Sequence, residues 1–472
     1  MDLLHSLLSN LWSLFLVVFF FGSSIFVHEL GHFLVARRRG VMVERFSIGM
    51  GPPIFRWKGK DGVEYWLSWF PLGGYVKLPQ LADLRGVEGE TKLDLSKLPS
   101  PTYATKILVF VAGAVFNVIF AFILATILWA AGMPDSEMNG DTRIGYVIPT
   151  LQVDGKKLPS PAAKADVRAG DVILEIDGAR VSDWSDVRSD LALGSGRTQN
   201  GERLVVLKVR RGEQILDLAI TPVLAGDERM RQIGVIHAGD VVFGTVPANT
   251  YAAQLGFKDG DRIIKMDTDT VYSLWQLSDY IESHSAAPVK FTVQRGKETV
   301  TIEMPPQKDA SVLFKDVGPD THVELVHQNP VTLIRKMVEN SFQSLSSLIN
   351  PRSDVGVANM TGPLGIAKSF WDAANSDYPV RVAAWLAVLI NISLAVFNLL
   401  PIPVLDGGQI VFATIAKIRG RALPIDFVNA TQSIFVVLLF SLMVYVSYHD
   451  ISRQIKQRRA RAEAEQTVPA KP

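Results

Sequence analysis

Residues 17–36 read VVFFFGSSIFVHELGHFLVA, and this stretch decides most of what the sequence predicts. A charge-free apolar run from Leu3 to Val27 leads directly into the HELGH motif. The run is long enough to cross about 30 Å of hydrocarbon, which takes roughly 20 helical residues. On a helix, residues i and i+4 share a face, so His28 and His32 can bind one zinc ion while Glu29 projects beside it.

The position of the motif strengthens the metal prediction. The alternative is two histidines of a protein core whose polar atoms are hydrogen-bonded and that bind no metal. Ionisable side chains at membrane depth are costly unless they share a function, and here three of them lie together at the end of a span. We therefore expect His28 and His32 to be metal ligands and Glu29 to be a general base.

A catalytic zinc site usually has three protein ligands, so one more is expected. The chain contains no cysteine, which leaves nitrogen and oxygen donors. Glu44 lies nearby but has no supporting pattern. Asp406 is the better candidate, because it ends an apolar span in the stretch NLLPIPVLDGG (398–408). An ordinary helix-ending Asp-Gly turn is the alternative. Topology favours the ligand, since both spans would reach the cytoplasmic face at the same depth.

Composition indicates apolar segments joined to a polar domain. The 472 residues carry a net charge of +1, so nothing suggests nucleic acid as a partner. The mean hydropathy of +0.20 is high for a chain with 20% charged residues. Three further spans are predicted at Ile107–Gly132, Val382–Leu405 and Phe427–Tyr448. The first run could be a cleaved signal peptide, but it lacks a basic start and a clear cleavage site, so we expect it to be retained.

Basic residues predict the orientation of the spans. Arg37, Arg38, Arg39 and Arg45 follow the first span and argue that its end is cytoplasmic. Residues 133–381 then lie on the outer face. The basic tail disagrees, because four spans would place it outside. Its cations are Arg453, Lys456, Arg458, Arg459 and Arg461.

The outer stretch contains an internal repeat. Residues 162–177 read AAKADVRAGDVILEID and residues 252–267 read AAQLGFKDGDRIIKMD, an offset of 90. Each copy predicts a short helix, a Gly-Asp turn and a strand. The pattern resembles PDZ domains, which bind extended peptides by strand addition. Two unrelated β-rich domains with similar turns are the alternative.

Two smaller elements are predicted on either side of this repeat. Residues Pro330–Leu348 have helical apolar spacing, which fits a helix packed on the second repeat or one lying on the membrane surface. Residues Ile54–Lys58 and Val63–Phe70 flank an Asp-Gly hairpin signal. Gly73 and Gly74 then permit a tight turn or a close backbone approach before Tyr75–Leu78.

Together these motifs resemble the site-2 protease family of intramembrane zinc metalloproteases. HELGH, NLLPIPVLDGG, VMVERFS (41–47), PLGGYVKL (71–78) and GPLGIAK (362–368) carry the resemblance. It implies Zn²⁺ on His28, His32 and Asp406, with Glu29 as the base. It also implies that Asn398 lies near the substrate backbone. Gly73 and Gly74, which permit a close backbone approach, are predicted to contact the substrate as well. One departure is the stretch AGAVFN (112–117), in which alanine replaces the family's proline.

The predicted protein is therefore a polytopic α-helical membrane protein with four spans, a small membrane-associated β-hairpin and two inserted α/β PDZ domains on the extracytoplasmic side. The expected divisions are 1–132 (spans one and two, with the hairpin at about 41–78), 140–225 and 230–310 (PDZ domains), 325–380 (connecting helices), 381–452 (spans three and four) and 453–472 (basic tail).

The family resemblance implies intramembrane cleavage in a bacterial inner membrane, with the active site near the cytoplasmic face. The implied partners are membrane lipid and single-span membrane proteins, chiefly a trimmed anti-sigma factor and remnant signal peptides. Two other functions stay open at this point: an inert PDZ scaffold, and an ion-translocating protein that uses Asp406 as a relay.

Overall fold

The structure is a computed structural model that describes residues 2–81, 99–134, 141–153, 155–226, 229–315, 317 and 325–467. It divides into two compact units, Met1–Met133 with His327–Gln343 and Met360–Pro472, and Pro134–Val326 with Ser344–Asn359. The helices in chain order are α1 (Asp2–Arg38), α2 (Tyr103–Ala131), α3 (Pro161–Lys164), α4 (Trp184–Leu193), α5 (Tyr251–Leu255), α6 (Leu274–Ser283), α7 (Ser311–Phe314), α8 (Pro330–Ile349), α9 (Pro363–Ala374), α10 (Pro379–Asn398), α11 (Asp406–Arg419) and α12 (Ile425–Thr467).

Two long strands lie between α1 and α2, and the other strands are shorter and lie between α2 and α8. In chain order they are β1 (Arg45–Lys58), β2 (Glu64–Lys77), β3 (Met133–Pro134), β4 (Ile144–Val147), β5 (Thr150–Val153), β6 (Lys156–Pro159), β7 (Val172–Ile176), β8 (Ala179–Arg180), β9 (Val205–Arg211), β10 (Gln214–Ile220), β11 (Val223–Ala225), β12 (Met230–Gln232), β13 (Val235–His237), β14 (Val241–Val242), β15 (Arg262–Met266), β16 (Asp269–Thr270), β17 (Val289–Arg295), β18 (Glu298–Met304) and β19 (Leu325–Val326).

Among the described residues of the first unit, four helices are long and apolar enough to cross a membrane, as the sequence predicts. They are Leu11–Arg38 of α1, α2, α10 and Ile425–Lys456 of α12. Helices α1, α2 and α10 share a core that contains Phe20, Ala125 and Ile392. Leu333 and Met337 of α8 are buried in the same core. The first half of α8 therefore packs on the spanning helices, which differs from packing on the second repeat, one of the two predicted alternatives.

The first span is longer than predicted, and the third is shorter. Helix α1 runs past Val27 to Arg38, so the HELGH motif lies inside the helix. Helix α10 ends at Asn398, seven residues before the predicted end at Leu405. Pro401 and Pro403 explain this end, because proline lacks the N–H that a continuing helix needs and disfavours helical geometry in the residue before it. Asp406 therefore opens α11 instead of ending a span.

A two-stranded sheet follows the first span, within the range of the predicted hairpin, and its strands are longer than the predicted ones. Strand β1 starts at Arg45, and β2 runs through the expected turn at 71–74 to Lys77. The register shifts along the pair, so that the first residues of β1 lie beside both ends of β2. Arg45, for example, is paired with Glu64 and with Lys77. Residues Gly74–Lys77 consequently form a separate segment of the sheet beside Arg45–Ile48.

The second unit contains two similar sheet modules, as the repeat predicts. The first module has strand order β10-β9-β7-β8, and the second has β14-β15-β17-β18 with β16 beside β15. Helices α3 and α4 start 90 residues before α5 and α6, and β7 starts 90 residues before β15. After α4 the offset falls to 84, because the loop that follows α6 is six residues shorter.

The Gly-Asp turn has the same contacts in both modules. Asp171 is buried and accepts hydrogen bonds from the backbone N–H of Arg168 and from the Arg211 guanidinium. Asp261 is buried in the same way and accepts from the N–H of Lys258 and from Arg295. Each carboxylate thus joins its turn to a neighbouring strand. The repeated aspartate has a structural role in both copies.

The segment that follows α8 is attached to the first module by one carboxylate. Asp354 accepts hydrogen bonds from Arg197, Arg203 and Arg231. The Arg231 side chain is fully buried. Burial raises the pKa of Asp354, but the hydrogen bonds from Arg231 and Arg203 outweigh it and hold that pKa below its ordinary value. The carboxylate is therefore ionised at neutral pH.

Helix α12 extends from the last span into the predicted basic tail, 453–472, and its last described residue is Thr467. Near the end of the span, Asp450 accepts hydrogen bonds from the backbone N–H of Gly362 and Gly365. Arg453, the first cation of the tail, donates to Asp450 and to the carbonyl of Met360. The start of the tail thus lies beside residues 360–365.

Candidate metal centre

Three predicted ligands from two helices that lie far apart in the sequence meet at one point. Nε2 of His28 lies 3.1 Å from Nε2 of His32. Oδ2 of Asp406 lies 3.2 Å from the first of these nitrogens and 3.3 Å from the second. Among the residues that the structure describes, these three side chains form a group able to hold a metal ion.

The spacing of the three atoms fits zinc. Zn–N and Zn–O bonds are about 2.0–2.2 Å long, and tetrahedral angles then put two ligand atoms about 3.3–3.5 Å apart. The observed separations of 3.1–3.3 Å lie close to these values. Two imidazoles and one carboxylate also leave a fourth position open, as in catalytic zinc sites. The residues present therefore fit the metal that the sequence predicts.

Close packing of α1 against α2 positions the two imidazoles. Gly31 allows this approach, because a Cβ there would lie 2.5 Å from the carbonyl oxygen of Ala112. Gly113 lies directly against the histidines: a Cβ on it would be 2.5 Å from Nε2 of His32 and 2.7 Å from Nε2 of His28. Nδ1 of His32 is 2.7 Å from the carbonyl oxygen of Val109, which orients the ring.

The Asp406 carboxylate depends on two glycines and on the turn before α11. A Cβ on Gly407 would lie 2.3 Å from the carbonyl oxygens of Leu399 and Leu400, and one on Gly408 would lie 2.1 Å from that of Ile402. Only glycine therefore lets the turn 399–405 fold back on the start of α11. This is the physical reason for the Asp-Gly-Gly sequence at this point. It brings Asp406 out of the turn toward α1.

Glu29 lies beside the predicted substrate segment. The backbone of Val76 lies beside its carboxylate. A Cβ on Gly74 would lie 3.2 Å from Cγ of Glu29, so the strand approaches the glutamate closely. The expected close backbone approach is therefore present at Gly74. Gly73 has a φ of +110°, a conformation that favours glycine, and packs against Met50.

Asn398, the remaining predicted substrate residue, is the last residue of α10 and is half-buried. Its contact with a substrate stays a prediction. Sequence reasoning missed three groups: Gly113, the carbonyl of Val109 and the backbone of Val76. The sequence could have indicated Gly113, because it lies in the AGAVFN stretch of a span that is otherwise rich in bulky apolar residues. No pattern could have indicated the two backbone groups, because every residue carries a carbonyl and almost every residue an N–H.

Four spanning helices and a His–His–Asp cluster beside a glutamate define the class of membrane-embedded metallohydrolases. Comparison with known proteins gives the family. Residues 16–442 match the model of Peptidase family M50, and the chain belongs to that family. The match covers most of the first span, the second and third spans, the first part of the fourth, both sheet modules and every predicted site residue.

Similar proteins are found in several bacteria. The regulator of sigma-E protease RseP of Escherichia coli strain K12 is 28% identical over 477 residues, which cover 95% of this chain and all of that protein. The regulator of sigma E protease of Salmonella typhi is also 28% identical, over 469 residues, with the same coverage. A Vibrio cholerae protein whose name describes a zinc metalloprotease is 27% identical over 470 residues, covering 94% of this chain and 99% of its own length. The predicted enzyme class and cofactor are confirmed: the chain is a zinc metalloprotease.

Proposed function

We propose that this chain cleaves single-span membrane proteins within the membrane. His28, His32 and Asp406 hold the zinc ion, and Glu29 is the general base. The observation that carries the proposal is the 3.1–3.3 Å spacing of three ligand atoms, with Glu29 on the next helical position. The match to the zinc-dependent family supports the same assignment.

Glu29 performs the proton transfers of the reaction. Bound zinc supplies a Lewis acid that polarises a carbonyl and lowers the pKa of water toward 7. Glu29 removes a proton from the attacking water and then delivers it to the leaving amine, which is ordinary general acid–base catalysis. The close approach of Gly74, whose Cβ would lie 3.2 Å from Cγ of Glu29, puts this carboxylate beside the substrate segment. Because water has to reach Glu29, the site is expected near the cytoplasmic face.

The substrate is held open by strand addition to the segment Gly74–Lys77. A membrane-spanning helix hides its carbonyls in hydrogen bonds, so it has to unwind before cleavage. The unwound backbone then needs new partners, which a sheet edge provides. One side of Gly74–Lys77 pairs with Arg45–Ile48, and its other side faces Glu29. Gly73, Gly74 and Asn398 are the proposed substrate contacts.

Photo-crosslinking tests this arrangement against the alternative of a hairpin that only plugs the cytoplasmic mouth. Crosslinkers are placed singly along Val63–Leu78 in the Glu29→Gln variant. Strand addition predicts contacts at alternate positions with the residues around the cleavage site. A stretch without any contact to bound substrate contradicts strand addition and favours the plug.

The two sheet modules are proposed to be PDZ domains, at 140–225 and 230–310, on the outer side of the membrane. The repeated helix, turn and strand with equivalent Asp–Arg contacts support this assignment. Their function is to exclude substrates that still carry a bulky outer domain, and recognition of peptide ends is the alternative. Deletion of about 140–310 should permit cleavage of untrimmed substrate. A folded deletion variant that cuts the trimmed substrate but still not the untrimmed one contradicts this exclusion by size.

The relatives named as regulators of sigma E suggest the biological context. We propose a multi-pass protein of a bacterial inner membrane that acts in sigma-E regulation. Its expected substrates are an anti-sigma factor already trimmed on its outer side and remnant signal peptides. Trapping substrates with the Glu29→Gln variant in native membranes, followed by mass spectrometry, identifies them directly. Recovery of soluble proteins alone contradicts the substrate class.

Metal analysis tests the active-site assignment. About one equivalent of zinc should copurify with the full-length protein, and His28→Ala or Asp406→Ala should reduce it. Glu29→Gln should keep zinc and abolish cleavage, because the base is not a ligand. Full zinc and full activity in Asp406→Ala contradict the third-ligand assignment. The same data exclude the scaffold and ion-translocation alternatives if cleavage depends on zinc and Glu29.

A further inference from the structure

Asn117 is a fully buried polar residue that neither the zinc ligands nor the general base accounts for. It lies on α2, and the nitrogen of its amide is 3.4 Å from Nδ1 of His28. Among the described residues, its Oδ1 is buried without a hydrogen-bond partner. An unpaired amide oxygen inside a protein costs free energy, so its position next to a metal ligand calls for a physical reason.

The tautomer of His28 supplies that reason. Nε2 of His28 faces His32 and Asp406, so it is the atom that binds the metal under the proposed function. A neutral imidazole that binds through Nε2 carries its proton on Nδ1. That N–H needs an acceptor. Metal-bound histidines almost always donate their other ring N–H to such a partner.

His32 illustrates the requirement within the same site. Its Nδ1 lies 2.7 Å from the carbonyl oxygen of Val109, which accepts the proton of the metal-binding tautomer. The corresponding nitrogen of His28 has the Asn117 amide in front of it. With the amide nitrogen toward the ring, Nδ1 has to be the acceptor, and the proton moves to Nε2. That tautomer cannot bind a metal through Nε2.

We propose that Asn117 positions His28 for zinc by accepting the Nδ1–H hydrogen bond through Oδ1. Rotation of the amide by 180° exchanges its oxygen and nitrogen, which have nearly the same shape. The rotated amide gives the ring N–H an acceptor and fixes Nε2 as the free metal-binding atom. The proposal rests on the assignment of His28 as a zinc ligand. Asn117 is a positioning residue, because it acts through His28 and not on the substrate.

The test measures zinc retention by the full-length protein, which does not depend on proteolysis. Zinc transfer to a chromogenic chelator gives the affinity and the rate of release. Asn117→Leu has a similar volume and no acceptor, so its zinc affinity should fall by about 10- to 100-fold, as for other residues that support a metal ligand. Asn117→Asp keeps an acceptor and should retain zinc within a few-fold of the wild-type protein.

Asn391→Leu is the matched control. Asn391 is also fully buried in a spanning helix, and its Oδ1 also lacks a partner among the described residues. Its amide donates to Ser24, 2.8 Å away, and touches no proposed ligand. This variant should keep wild-type zinc affinity. Equal loss in both leucine variants would attribute the effect to packing and overturn the proposal.

Further variants keep the result interpretable. Asn117→Ala repeats the test if the leucine variant is not recovered folded, and the same loss of affinity is expected. Wild-type zinc affinity in Asn117→Leu or Asn117→Ala overturns the role of Asn117. His28→Ala separates this failure from a failure of the proposed function. If His28→Ala also keeps zinc, the ligand assignment itself is wrong; if only His28→Ala loses zinc, the assignment stands without Asn117.

Discussion

Substitution of Gly113 by alanine should remove zinc from the protein. A Cβ at this position would lie 2.5 Å from Nε2 of His32, and 2.6 Å and 2.7 Å from Cε1 and Nε2 of His28. Non-bonded heavy atoms are stable at about 3.5–4.0 Å, so each contact is short by about 1 Å. The new methyl group therefore competes for space with both metal-binding nitrogens.

The close packing around Gly113 means that no small movement relieves this steric overlap. Relief would require α1 and α2 to move apart from their close contact at Gly31, or the two imidazoles to leave their positions. Zinc–ligand distances tolerate only about 0.2 Å of error. A displacement of about 1 Å therefore removes at least one imidazole from the metal. The loss of zinc affinity should exceed the roughly 100-fold that follows from loss of a hydrogen-bonded supporting residue.

The assay is the zinc content of purified full-length protein after dialysis, measured by mass spectrometry together with cleavage of a single-span substrate. Gly22→Ala is the matched control, since Gly22 also lies in a spanning helix and its Cβ would have nothing within 4 Å. It should keep one equivalent of zinc. One equivalent of zinc and wild-type cleavage in Gly113→Ala would refute the reasoning.

Three further predictions concern acidic side chains away from the metal. Asp354→Ala should destabilise the second unit by about 3 kcal/mol, because it leaves the buried Arg231 guanidinium without its carboxylate. The control Asp240→Ala removes an exposed ion pair and should cost less than about 1 kcal/mol. Hydrogen exchange measures both free energies, and equal effects would contradict the prediction. The pKa of Asp354 lies below its ordinary value, so its contribution should be complete above about pH 4 and decline as the pH falls further. Limited proteolysis should therefore show a steeper acid transition in wild-type protein than in Asp354→Ala, and parallel curves would be evidence against it. Asp450→Ala should increase hydrogen exchange at the Gly362 amide, where the carboxylate accepts a hydrogen bond, and unchanged exchange would exclude this capping role.

Local sequence patterns were sufficient to predict the spanning helices, the repeated modules and the two histidine ligands. The length of an uninterrupted apolar run is enough to recognise a spanning helix. Four such helices were expected and are present among the described residues, although two of the bounds differ. The 90-residue offset predicted two similar modules, and α3, α4 and β7 recur at that offset. The spacing of His28 and His32 was enough to predict two ligands, because i and i+4 always share a helical face. These are properties of neighbouring residues.

What the sequence alone determined, then, is the set of spans, the repeated modules and the two-histidine motif, together with the family resemblance. Only the tertiary structure decided how Asp406 reaches His28, because the turn 399–405 and two glycines bring it there from a separate helix. The same holds for Gly113 against the imidazoles and for Asn117 beside Nδ1 of His28. Such contacts join residues about 80 to 380 positions apart, and their distances depend on how whole helices pack, which no local pattern encodes.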